Sequence, residues 1–587
     1  MIHLALPDIL VFVSYMTLTI GIGLYFAKKA SRSTEDYFLA GRSLPWWFAG
    51  ISMVATSFAT DAPLAATRLI REEGIAGFWY PTSWLFADLV TLYFFSRLWR
   101  RAQVATDVEI TELRYNGKPA EYLRLISGLF NAIPFNCIII GWVTLAMVKI
   151  LEVSLGLPKE IVVPILVTVT VTYTCLSGMW GAAMNHLLQY STATIGALAL
   201  AWFSINKVGG MPNLVAKLSS MPEFGVAKFN FFPTLMGGQA LTLFLVIMAV
   251  QWWAQKNVTG GGQLSLHMFA CKDEKHSFLA VFLFSFLHYV IRPWPWMVVG
   301  LCSLVLFPHV GDNEAAYPMM FSLLPVGLKG LVITSLTAAY MSTLETHLNW
   351  GSSYLITDVY RRFIKKDGTA KHYVFASRMA MLALSVIVMI VVFNMGSIVG
   401  AWKYLATLTA GVGPVFILRW YWHRINAWSE ISALLASGFF ATVFSLIPFF
   451  APDQMYGIRL LLTLGLTTIT WLTTTYFTAP TEEKVLLNFY RRVRPASFGW
   501  GPIAKISGTP KNTQNLAGDL LAFVSCAIFL LSSFFAIGKY ILGATNEGHL
   551  ALFLALISGL YVFYDLQKRL DLKLEMRTND SLNKELA

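Results

Sequence analysis

The residues best suited to chemistry stand in one apolar run, Leu328 to Tyr360, which reads LKGLVITSLTAAYMSTLETHLNWGSSYLITDVY. Ser342 and Thr343 follow Ala339 by three and four residues, so on a helix the Ala339 carbonyl and both hydroxyl oxygens can converge on one point. Oxygen donors without a carboxylate suit a hard monovalent cation. The competing assignment is structural, because Ser and Thr in membrane helices commonly hydrogen-bond back to the carbonyl one turn earlier. A second polar cluster, Thr56, Ser57, Thr60 and Asp61, precedes Pro63. Proline frees a carbonyl one turn before it. Irregular backbone at membrane depth survives only where it lines a cavity or is buried in protein, so Ala55 to Pro63 is expected to be a broken helix. Asp61 is costly in such a place and is therefore a functional candidate; the alternative is a wetted position near the end of the helix. Thr56, Ser57, Asp61, Gln251 and Trp252 are the candidate solute-binding residues, with Trp252 offering either a flat surface for a sugar or ring, or plain packing at the interface.

The elements that must position these groups are membrane helices. The chain has 587 residues, 56% hydrophobic and 13% charged, with a mean hydropathy of +0.59. Soluble domains average about 45–50% apolar and about 25% charged. Runs of about 20 apolar residues give about fifteen spans, including 45–70, 161–182, 183–205, 236–257, 326–362 and 397–423. The net charge of +12 does not indicate a nucleic-acid partner, because basic residues concentrate in every second loop: Lys28 to Arg42, Arg97 to Lys118, Arg361 to Lys371 and Arg491 to Lys511. This positive-inside pattern predicts an outer amino terminus and, after an odd number of spans, a cytoplasmic carboxyl terminus. No basic segment precedes the first apolar run, so a cleaved signal peptide is not expected. Cys137, Cys175, Cys271, Cys302 and Cys526 form neither a CxxC pair nor a metal spacing, which excludes an expected disulfide framework or zinc site. Pro134 beside Asn136, Pro293 and Pro295 beside Arg292, and Gly411, Gly413 and Pro414 after Trp402 each predict a distorted helix. The glycine run 260–262 lacks the lysine and serine of a phosphate loop and reads as an inner hinge.

Several of these stretches together resemble the sodium:solute symporter family. The loop Ser33-Thr34-Glu35-Asp36-Tyr37-Phe38-Leu39-Ala40-Gly41-Arg42-Ser43-Leu44-Pro45-Trp46-Trp47 is similar to that family's signature before its broken helix. The entry Leu324-Pro325-Val326-Gly327, the centre at Ala338-Ala339 with Ser342-Thr343, and the exit Asp358-Val359-Tyr360 are similar to a second. Tyr173-Thr174-Cys175-Leu176-Ser177-Gly178, followed by Asn185, His186 and Gln189, resembles a turn between two spans, with His186 where many members carry Asp.

The resemblance implies an all-α polytopic membrane protein with a LeuT-type core of five plus five inverted helices and extra flanking helices. Its expected layout is a peripheral span and loop (1–44), a core (45–425, with repeats 45–205 and 236–425), two peripheral spans (426–479), a cytoplasmic linker (480–514), and two spans with a tail (515–587). The implied sodium ligands are the carbonyls of Ala55, Phe58 and Ala339 with the hydroxyls of Ser342 and Thr343. A second ion in some members uses an Asp at the position of His186 together with hydroxyls at the positions that are Glu345 and Thr346 here. A neutral imidazole is a poor sodium ligand and an imidazolium repels the ion. The reciprocal exchange of residue types instead motivates a His186–Glu345 hydrogen bond, beside the alternative of a packing histidine. The implied activity is secondary active, sodium-coupled symport of a small polar organic solute, a sugar, a polyol or an amino-acid-like compound, by alternating access in the cell (inner or plasma) membrane. Apart from sodium no cofactor is expected, and no obligate protein partner or nucleic acid. The alternatives are a proton-coupled carrier using Asp61 or Glu345, and a transporter-like sensor; an enzyme would need a nucleophile and base or a metal cluster, which the sequence does not offer.

Overall fold

A computed structural model describes residues 4–30, 42–104, 106–221, 226–233, 239–450, 452–496, 498–508 and 516–585. Most of the Ser33–Trp47 signature lies outside these, as do the side chains of Tyr173 and residues 176–184. The described residues are helical, with one isolated parallel bridge between Leu44 and Cys271. Seven helices, among them Gly117–Leu155, Glu274–Leu306, Ala370–Phe393 and Leu516–Ile541, are long and apolar enough to cross a membrane, or eight with the bent pair Ile398–Leu408 and Val412–Tyr421. This count, among the described residues, does not establish the expected fifteen. The helices over Trp46–Ser57, Asp61–Glu73 and Leu328–Ser353 are not among them, the first two being short pieces of a broken helix and the third rich in polar residues.

The element at the centre is a helix over Leu328–Ser353, continued as a π-helical stretch over Tyr354–Ile364. Every residue from Val332 to Ser353 is buried. We number the elements around it in chain order: α1 (Leu6–Ala30), α2 (Trp46–Ser57), α3 (Asp61–Glu73), α4 (Gly117–Leu155), α5 (Lys159–Val208), α6 (Leu241–Ala254), α7 (Glu274–Leu306), α8 (the central Leu328–Ser353), α9 (Ala370–Phe393), α10 (Ile398–Leu408) and α11 (Val412–Tyr421). Helix α8 packs on α1, α2, α4, α5 and α9. A helix enclosed on all sides must satisfy each of its polar groups within the protein.

Two features anchor α8. At its start, the Asp8 carboxylate on α1 accepts from the backbone N–H groups of Gly327 at 2.7 Å and Gly330 at 2.8 Å, capping the helix from a neighbour. The approach is close enough that a Cβ on Gly330 would fall 2.4 Å from the Asp8 Cα. At its end, buried Asp358 accepts from Thr106 at 2.7 Å and from Arg124 on α4 at 2.8 Å.

The expected break is present: α2 ends at Ser57, Phe58 leaves helical geometry with ψ 66°, and α3 begins at Asp61. A second break follows α6, where Gln255 is extended, Lys256–Thr259 is a 3₁₀ turn and Gly260 is left-handed. The sequence reading had this second break only as a hinge at glycines 260–262. The bend between α10 and α11 measures 47°. There Gly411 donates its N–H to the freed Ala254 carbonyl at 3.1 Å, and a side chain at Gly413 would collide with the Trp253 carbonyl. Pro134 lies in a π-helical stretch, Asn131–Phe135, and another such stretch, Leu287–Ile291, precedes Pro293.

One expectation is corrected. Spans 161–182 and 183–205, with a turn between them, are a single 50-residue helix, α5. The interior proline, Pro164, lies in its second turn, and Gly178 and Gly181 keep helical backbone; the left-handed Gly209 ends the helix. Glycine lowers helix propensity without forcing a turn.

Asp8→Ala removes the cap on α8 and is expected to destabilise the protein by about 1–2 kcal/mol. The melting temperature of the detergent-solubilised protein would fall accordingly, whereas an unchanged value would show that water replaces the carboxylate.

Candidate functional site

Where α2 breaks, its last carbonyls face the middle of α8. The Ser342 hydroxyl donates to the Ala55 carbonyl at 2.9 Å, with the Ala339 carbonyl also at 2.9 Å. The Thr343 hydroxyl lies 2.7 Å from the Thr56 carbonyl and 3.1 Å from that of Ala339. Five uncharged oxygens from two helices thus converge in a buried position. The structural alternative is present within the same geometry, since each hydroxyl also bonds back one turn along α8. What distinguishes the site is that both hydroxyls reach across to the broken helix as well. The Phe58 carbonyl, part of the expected set, takes no part in these hydrogen bonds, and the Thr56 carbonyl does. Phe58 itself donates its N–H to the Val54 carbonyl at 2.7 Å and packs its ring on Trp296.

Beside these oxygens lies a cavity of about 260 Å³. Of the expected solute-binding residues, Thr56, Ser57, Asp61 and Trp252 line it. The Thr56 hydroxyl is 3.1 Å from that of Thr346, and Asp61 accepts from the Trp402 indole N–H at 3.0 Å. Gln251 does not line it. Its amide donates to Ser83 at 3.2 Å and accepts from Tyr456 at 2.8 Å. Adjacent helical residues point roughly 100° apart, so Gln251 and Trp252 cannot share a face, and it is Trp252 that faces the cavity.

The structure adds residues that the sequence reading did not place in the site. Asp88 accepts from the Tyr289 hydroxyl at 2.5 Å. Arg292 donates to the Ser57 carbonyl at 2.5 Å and meets His288 at 2.8 Å, with its guanidinium over the Trp296 ring. His347 is held by Asn136 at 2.6 Å. All but Asn136 line the cavity, as do Trp84, Trp142 and Trp402. The signal available for Arg292 was a cation in an apolar span, with His288 one turn before it. The tryptophans gave none, because nothing in their spacing separates a cavity wall from packing.

The expected His186–Glu345 hydrogen bond is not formed. The His186 ring instead meets Ser52 at 2.5 Å and Thr346 at 3.4 Å, and Ser52 also meets His267 at 3.0 Å. Glu345 lies within electrostatic reach of Tyr15 on α1. Residues 345 and 346 point about 100° apart on α8, and it is Thr346 that meets His186.

Ion pairs tie the elements together on either side of the cavity. Glu314 accepts from Arg68 on α3 at 3.2 Å, from Lys149 on α4 at 2.7 Å and from the first backbone N–H groups of α10. Arg124 joins Asp358 and Glu112 on the other side.

A model of the sodium:solute symporter family matches residues 37–436. The sodium/glucose cotransporter of Vibrio parahaemolyticus is 25% identical over 480 residues, 77% of this chain and 88% of its own. The sodium/mannose cotransporter of Bos taurus is 25% identical over 477 residues, 74% of this chain and 78% of its own. Sodium/myo-inositol cotransporter 2 of Homo sapiens is 24% identical over 472 residues, 73% and 68% of the two chains. Among solved structures, a Na+-coupled sialic acid symporter in a substrate-bound outward-open state superposes with a TM-score of 0.66 at 17% identity, over 81% of this chain and 99% of its own. That likeness is one of fold, the LeuT type.

Gln251→Leu is expected to cost about 1–3 kcal/mol of stability by leaving buried partners unpaired. Solute affinity should not change. A solute affinity that falls with stability intact would return Gln251 to the cavity wall.

Proposed function

Because this chain belongs to the sodium:solute symporter family, and is a multi-pass membrane protein that couples sodium to symport of a small solute, we propose that the coupling ion binds between α2 and α8. The ligands in this reading are the carbonyls of Ala55, Phe58 and Ala339 and the hydroxyls of Ser342 and Thr343, with the Thr56 carbonyl available as a further one. The observation that supports it is the pairing of both hydroxyls with carbonyls of a broken helix, which a packing role does not require. A cation there exchanges hydroxyl-to-carbonyl hydrogen bonds for ion-to-oxygen contacts and pulls α2 onto α8.

The solute occupies the adjacent cavity. The relatives named for glucose, mannose and myo-inositol support a polar organic solute of about that size, within the sugar, polyol and amino-acid-like classes. Transport proceeds by alternating access: the layer around Glu314 opens toward one side and the layer around Arg124 and Asp358 toward the other, with an outer amino terminus and a cytoplasmic carboxyl terminus. One sodium ion entering at −100 mV supplies about 2.3 kcal/mol from the voltage alone, so even one ion per cycle concentrates solute usefully.

Thermal unfolding in sodium and in potassium tests the ion site. Sodium is expected to raise the melting temperature saturably. Ser342→Ala and Thr343→Ala are each expected to weaken apparent sodium affinity by about tenfold or more, about 1.4 kcal/mol, while the proteins stay folded. Unchanged sodium affinity in both would remove these hydroxyls as ligands. Uptake driven by external acid and indifferent to sodium would replace the ion with a proton.

A further inference from the structure

We propose that the solute carries an organic ammonium group, received by Asp61 within a cage of Trp84, Trp142 and Trp402. This deepens the reading of the cavity as the solute site and rests on it. Asp61 stands at the first turn of α3 and is only 4% exposed. One carboxylate oxygen accepts from Trp402; the other, Oδ1, has no hydrogen-bond partner. Both belong to a side chain on the cavity wall.

One cation on the cavity wall, Arg292, lies within electrostatic reach of Asp61, and it is shared with other partners. Among the described residues lining the cavity, Arg292 is the one Lys or Arg. Its terminal nitrogens are held by the Ser57 carbonyl and His288, and its guanidinium lies on Trp296. Asp88, the other carboxylate on the wall, has the Tyr289 hydroxyl as its partner. The ionisable acids and bases on the wall therefore sum to two carboxylates and one guanidinium, beside the neutral-capable His288 and His347. A carboxylate buried without a cation is strongly unfavourable. The ligand is the remaining source of positive charge, apart from the sodium ion held by uncharged oxygens between α2 and α8.

The surroundings of Asp61 fit that charge. The Trp402 ring centroid lies 5.8 Å from that of Trp84 at an interplanar angle of 60°, and 6.4 Å from that of Trp142 at 74°. Trp402 meets Asp61 through its indole N–H and shares the cavity wall with Trp84 and Trp142; indole faces attract an alkylated ammonium through the ring quadrupoles, most strongly where water is excluded. A sugar hydroxyl would satisfy Asp61 Oδ1 as a hydrogen-bond donor but would leave the wall with two carboxylates and one guanidinium. The inference therefore departs from the neutral sugars and polyols named for the relatives. Arg292 Nε, also buried without a partner, offers a second contact to a solute that carries a carboxylate as well.

The test uses the full-length protein in detergent, in sodium or potassium, with choline and trimethylglycine as ammonium probes. The neutral carbon isostere 3,3-dimethylbutan-1-ol and glucose serve as controls, and binding is read as saturable thermal stabilisation. An ammonium probe is expected to bind about tenfold or more tighter than the isostere. Asp61→Asn and Trp402→Leu should each lose that preference while keeping the sodium response, which shows that they are folded. Glucose or the isostere binding as well as both ammonium probes overturns the proposal. So does an Asp61→Asn protein that keeps the preference, since Asp61 is then protonated or irrelevant, and so does the absence of any ammonium response in a protein that sodium stabilises. A failure of the ion site is read separately: sodium would not stabilise the wild-type protein, whereas ammonium binding would still appear in potassium.

Discussion

The constraint on which this structure depends is that α8 is enclosed on every side while carrying hydroxyls, a carboxyl group and an imidazole. In the bilayer there is no water to satisfy such groups, so most are expected to find a partner on a neighbouring helix, on their own helix or in an ion. The central hydroxyls, Ser342 and Thr343, find theirs in the carbonyls that α2 releases by breaking. The break and the polar centre of α8 are thus two halves of one arrangement. A continuous α2 would use its carbonyls internally, and the hydroxyls would then have only their own helix to bond.

The break in α2 is matched by another after α6, and the same accounting applies. The freed Ala254 carbonyl is taken by Gly411 at the bend between α10 and α11. Glycine is required at that bend because Gly411 is left-handed, at φ 87°, and Gly413 touches backbone. The two irregular segments thereby border one cavity, with Thr56 to Asp61 from the first and Gln255 to Gly261 from the second. Backbone that is irregular at membrane depth is tolerated because it lines this space or is covered by a partner.

Charge is distributed around the cavity by function. Multiply bonded carboxylates, Glu314 on one side and Asp358 on the other, join helices that belong to different parts of the core. Paired in this way, they tie α3 to α4 at one end and α4 to the continuation of α8 at the other. Asp61 within the cavity is bonded at one oxygen only. A buried charge left half-satisfied is costly to the empty protein, and a ligand that completes it recovers that cost on binding.

Much of the proposed ion site was legible in the chain itself. The spacing of Ala339, Ser342 and Thr343, the polar cluster before Pro63, and the mean hydropathy are local properties, and helix geometry alone converts them into a cation-sized set of oxygens and a broken membrane helix. The family signatures added which helix faces which. The solute wall was not legible in the same way. Which of two neighbours, Gln251 or Trp252, turns inward depends on how α6 is rotated against Ser83 and Tyr456. Likewise, whether Thr346 or Glu345 meets His186 depends on the rotation of α8. The continuity of α5 depends on packing along its whole length and not on its glycines. The lengths of the apolar runs determined that helices cross the membrane, and the polar cluster before Pro63 that α2 breaks. Only the tertiary structure, by setting the rotation of each helix about its own axis, decided which side chains share the cavity.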